Sequence, residues 1–109
     1  MKIKTEPRAW TTEEVAKMIV KQTLVCADYW AQQPNKTPQE VARGTAFGIL
    51  SMLDGSCLNL PGFDLVPTPD PTDKAYCIEQ GENYFTNEPV SFALHEMFHE
   101  IEQTFDKSQ

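Results

Sequence analysis

His95, Glu96 and His99 spell an H-E-x-x-H pattern, and its two histidines are the only ones in the chain. On a helix, histidines at i and i+4 share one face and can hold one divalent ion. The intervening glutamate is then placed to activate a metal-bound water. The chemistry implied is zinc-dependent hydrolysis, with His95 and His99 as metal ligands and Glu96 as general base.

Helical phase argues against it. At about 100° per residue, Val90, Leu94, Met97, Phe98, Ile101 and Phe105 fall on one stripe, which the pattern predicts to be buried. His95 and His99 lie more than about 100° from the centre of that stripe and should face solvent, beside Glu96, Glu102 and Gln103. A hydrolytic site needs a cleft that holds a water and excludes the bulk. A third ligand is also hard to place. A metzincin has glycine and a ligand where this chain has Glu102 and Phe105. A gluzincin draws its third ligand from a later helix, and only four residues follow Phe105. Upstream, Cys57, Asp64, Cys77 and Glu79 could serve, but no spacing recommends one of them. A two-fold oligomer that joins two His95/His99 pairs is a further route to a ligand set. The reading adopted is coincidence: no catalytic residue and no cofactor, with the zinc hydrolase as the alternative.

Three cysteines, Cys26, Cys57 and Cys77, are odd in number and far apart, which speaks against a disulfide framework and for a reducing cytoplasm. With no basic residue or histidine close by in sequence, they read as structural thiols. Neither a glycine-rich phosphate loop nor a basic stripe with interleaved aromatics is present.

Charge is distributed unevenly. Residues 1–43 hold seven Lys/Arg and five Asp/Glu, whereas residues 44–109 hold two and eleven. Between Glu79 and Asp106 there are seven acidic residues and no basic one. Such a surface repels nucleic acid and anionic membrane and favours a basic partner. Glu96, Glu100 and Glu102 are its densest part and the candidate interaction surface.

The elements that must position these residues can be read in order. With 109 residues, 40% of them hydrophobic, the chain suits one domain with a modest core. Residues 1–10 read as a loose tail. Thr11 and Glu14 form a capping box for a first amphipathic helix over about 12–32. Thr37 and Glu40, with Pro38 between them, start a second helix that runs to about Leu53, where Asp54-Gly55 stops it. This second helix is the most apolar element and the expected centre of the core. Gly44 and Gly48, one turn apart, make a small-residue face for close packing by a helix or an aromatic ring. Prolines 61, 67, 69 and 71 punctuate the next stretch. Phe63–Val66 alternates as a short edge strand, and Tyr84-Phe85-Thr86 is its expected hairpin partner. A short helix is predicted over about 71–80 with Gly81 as its C′ residue, a strand over Ala75–Glu79 being the alternative. The last helix is predicted over about Glu88–Phe105. The expected fold class is therefore α+β and mainly helical: three amphipathic helices, a short fourth and a two-stranded β-hairpin.

One resemblance covers roughly residues 40–100. Gly44-Thr45-Ala46-Phe47 through Leu53-Asp54-Gly55, Leu60-Pro61-Gly62-Phe63-Asp64-Leu65-Val66-Pro67, Asp73-Lys74, Gly81-Glu82-Asn83-Tyr84 and Leu94-His95-Glu96 are similar to a pattern in small uncharacterised proteins of phages, prophages and bacteria. The resemblance implies a phage-type accessory protein and supplies no catalytic residue. The function expected is that of a cytoplasmic, non-enzymatic protein that acts through contact with a basic protein surface. Inhibition of a host nucleic-acid-binding machine is one version, with no direct binding of nucleic acid or membrane.

Overall fold

The computed structural model describes residues 6–90 and 93–107. It contains four helices in the order α1 (Thr12–Ala31), α2 (Pro38–Leu53), α3 (Asp73–Glu79) and α4 (Leu94–Lys107). Among the described residues none of the helices is long and apolar enough to cross a membrane. The chain forms two compact units, Met1–Ile49 and Leu50–Gln109.

In the first unit, both capping boxes form. The Thr11 hydroxyl accepts from the Glu14 N–H at 3.1 Å, and the Glu14 carboxylate accepts from the Thr11 N–H at 2.9 Å. Thr37 and Glu40 repeat the exchange at 3.1 Å in both directions. Arg8 adds a two-pronged contact to Glu14 at 2.8 and 2.9 Å. That hydrogen bond, followed by the one from the Thr11 backbone, lowers the Glu14 pKa to about 2. The ion pair lies at the surface, where such pairs add little stability, so the cap matters more than the charge. Thr37→Ala should therefore lower the stability of the first unit by about 1 kcal/mol, read from the urea midpoint.

Close packing of α1 on α2 uses the two glycines. A β-carbon on Gly44 would lie 2.5 Å from the Trp30 indole, and one on Gly48 would collide with the Cys26 sulfur. Only a hydrogen side chain leaves room for both. The Cys26 thiol donates to the Thr45 carbonyl at 3.7 Å, and burial pushes its pKa up. All three cysteines are free thiols of intermediate burial.

In the second unit, α2 ends in a Schellman turn. Gly55, at φ +94°, donates to Met52, and Ser56 donates to Ser51. The loop then folds back: Gly55 and Gly62 meet backbone to backbone, and the Phe63 N–H bonds the Leu53 carbonyl at 2.8 Å. This return packs Leu60, which with Met52 is buried. An equivalent turn at Gly81, φ +70°, ends α3, with Glu82 donating to Cys77 and Gly81 to Ile78.

Two expectations need correction. The β-hairpin between Phe63–Val66 and Tyr84–Thr86 is absent, so the α+β assignment gives way to an all-helical one among the described residues. Leu65 pairs instead with Val90 in an isolated antiparallel bridge. The ladder cannot grow from there. The next donor along one side would be Pro67, which has no N–H, and on the other side the Phe63 N–H is already committed to Leu53. The short helix expected over about 71–80 is present as α3, and its strand alternative over 75–79 is not. The last helix begins at Leu94, not near Glu88, because Val90 is held extended by its bridge to Leu65.

Candidate functional site

Helix α4 carries every acidic and histidine residue of the motif, and its N-terminus is held by a side chain distant in sequence. Asp54, at the C-cap of α2, accepts a hydrogen bond from the His95 N–H at 2.7 Å through Oδ2. The same oxygen lies 2.5 Å from His95 Nδ1. A carboxylate only accepts, so Nδ1 carries the proton in this contact. The Leu94 backbone amide, next to it, also helps to lower the pKa of this carboxylate. Asp54 thus serves as an N-cap supplied from elsewhere in the fold, with its negative charge at the positive end of the helix. Its side chain is 7% exposed, and that of His95 26%. Burial alone would raise the Asp54 pKa. The hydrogen bonds from His95 and Leu94, with the charge on His95, outweigh it and hold the carboxyl below its ordinary value.

This cap turns α4 about its axis. The more covered positions are Leu94, His95, Phe98 and Glu102, a face rotated by roughly 60° from the stripe predicted by apolar residues alone. His95 therefore faces the protein, contrary to the solvent-facing position expected of it. His99 does face outward, with a side chain 67% exposed and Nδ1 3.7 Å from a Glu102 carboxylate oxygen. Glu96 and Glu100 are exposed. Met97, Ile101 and Phe105, predicted to be buried, each stand about half exposed on the outer side.

For a metal, the arrangement is mixed. A carboxylate on Nδ1 is the usual support for a metal-ligating imidazole. Yet among the described residues no group of three or more His, Cys, Asp or Glu side chains is gathered to hold an ion. Cys57, Asp64, Cys77 and Glu79 are not brought together with the histidines as such a group.

Sequence reasoning missed Asp54, which it took only as a helix stop. The contact to His95 spans 41 positions, and no local pattern announces it. It also missed a groove of about 570 Å³ in the second unit, between the proline-rich segment 66–71 and residues 84–87. Compared with protein-family models, with curated proteins and with solved structures, the chain matches none.

Proposed function

We propose that the protein is a small cytoplasmic accessory protein of the phage and prophage type, acting by contact with another protein through the acidic outer face of α4. One observation carries the reading: Met97, Ile101 and Phe105 stand exposed at i, i+4 and i+8 beside the exposed carboxylates of Glu96 and Glu100. A ridge of apolar anchors edged with negative charge suits a helix-binding groove with a basic rim. A nucleic-acid-binding machine of the host offers such a rim, and Glu102 extends the charge along the helix.

The test is affinity for the partner recovered by cross-linking in the native host, measured with parent and variants at several salt concentrations. Glu96→Lys with Glu100→Lys should slow association at least tenfold and flatten the salt dependence. Ile101→Asp should weaken the complex by more than tenfold at every salt concentration. A complex indifferent to both changes would remove α4 from the interface and the proposal with it.

The contact between Asp54 and His95 Nδ1 favours a second reading: a zinc hydrolase with His95 and His99 as ligands and Glu96 as base. It requires near-stoichiometric zinc in protein purified without a histidine tag, lost in His99→Ala. Metal-free parent protein that takes up no added zinc would dispose of it.

A further inference from the structure

The groove in the second unit is lined by the alternating prolines Pro67, Pro69 and Pro71, by Tyr84 and Phe85, and by Lys74 of α3. We propose that it binds a small aromatic monocarboxylate. This site is separate from the face of α4 and stands whether or not that face is an interface.

Volume sets the scale of the occupant. About 570 Å³ lies within the usual range of small-molecule sites, roughly 300–1,000 Å³. The walls set its shape and polarity. Phe85 is 79% exposed, a large cost in water that a flat apolar body laid against it would relieve. The proline rings are rigid and lack N–H groups, so they offer apolar surface with little ordering cost.

Charge selects a monoanion. The Lys74 ammonium sits 5.2 Å from the centre of the Tyr84 ring and pairs with that face rather than with a carboxylate, in a half of the chain where Asp and Glu outnumber Lys and Arg eleven to two. An ammonium over an aromatic ring keeps its donors available for an anion. Asp70 lines the same groove, but its Oδ1 is engaged by the Thr72 N–H at 2.9 Å and the Thr72 hydroxyl at 2.7 Å. Held there as a fixed negative charge, it opposes a second charge on the ligand, so a carboxylate is preferred to a phosphate dianion.

Titration of the full-length, ¹⁵N-labelled protein tests this, with indole-3-acetate as probe and uncharged indole-3-acetamide beside it. Saturable amide shifts are expected at residues 66, 68, 70, 74 and 84–87, with the acid binding at least tenfold more tightly than the amide. Lys74→Gln should erase that difference, and Phe85→Ala should weaken both ligands. Lys74 and Phe85 are exposed, so both variants should keep the parent spectrum elsewhere. Equal binding of acid and amide, no saturation, or shifts centred on α4 would overturn the proposal.

Discussion

Asp54→Ala is expected to destabilise the second unit by about 2–4 kcal/mol, the range for losing a helix cap together with hydrogen bonds to a buried charge. The carboxylate accepts from the His95 N–H and the His95 ring, and alanine offers neither donor an acceptor. The freed His95 N–H sits in the first turn of α4, where no intrahelical carbonyl can take it. Amide hydrogen exchange at Leu94 and His95 is the direct measurement, since both tryptophans, Trp10 and Trp30, lie in the first unit and do not report on this one. Exchange there should accelerate at least tenfold, while exchange in α1 stays as in the parent. Asp54→Asn keeps one oxygen as acceptor and loses the charge, so it should cost less.

Acidity acts on the same contact. The Asp54 pKa in the folded protein lies below its ordinary value, so the folded state binds the proton less readily than the unfolded chain. The stabilisation is complete above about pH 4, the unfolded carboxyl value, and is lost as pH falls through the lower folded value. Asp54→Asn should flatten this part of the stability profile. An unchanged profile in the variant would mean that the cap contributes nothing to acid sensitivity.

Gly44→Ala is the second large effect, and here two terms of opposite sign meet. Alanine in place of glycine within a helix gains about 1 kcal/mol of intrinsic propensity. Its β-carbon would lie 2.5 Å from the Trp30 indole, a rigid group that cannot swing aside as a flexible chain end would. Overpacking of that kind costs about 1–3 kcal/mol, and the rigidity places this case at the upper end. A net loss of about 2 kcal/mol is expected, measured by urea unfolding followed by circular dichroism. Removing the indole should reverse the sign. In a Trp30→Ala background the clash is gone, and the same glycine-to-alanine change should become stabilising. Destabilisation in both backgrounds would show that Trp30 is not what requires the glycine.

Both results turn on packing, yet one was legible in the sequence and the other was not. Gly44 and Gly48 share a helical face because of their spacing, so a close neighbour could be expected; that it is Trp30 over one and Cys26 under the other needed coordinates. The caps at Thr11 and Thr37 and the turns at Gly55 and Gly81 were also readable. Each is a bond between residues within a few positions of each other, encoded by the side chains present.

Failures of the sequence reading share the opposite property. Hairpin pairing of 63–66 with 84–86 was inferred from β-type residues at a separation where local pattern has no hold. Proline 67 and the diversion of Phe63 to Leu53 decided the outcome. The phase of α4 was inferred by assuming that its apolar stripe must be buried. A stripe predicts burial only if some surface is there to cover it, and among the described residues the unit has little: Met52 and Leu60 are the buried hydrophobic ones. With so small a core, a strong polar contact outcompetes it, and Asp54 turns His95 inward at the cost of leaving Met97, Ile101 and Phe105 exposed.

By itself, then, the sequence determined α1 and α2 with their ends, the stop of α3 at Gly81, the charge gradient and the glycine face, because these depend on periodicity, capping and composition over short separations. Only the tertiary structure decided which histidine is held by a carboxylate, which apolar residues remain in water, and that Lys74 lies over the Tyr84 ring in a groove lined by prolines. Those are contacts between distant segments, set by competition among partners that no single stretch of the chain contains.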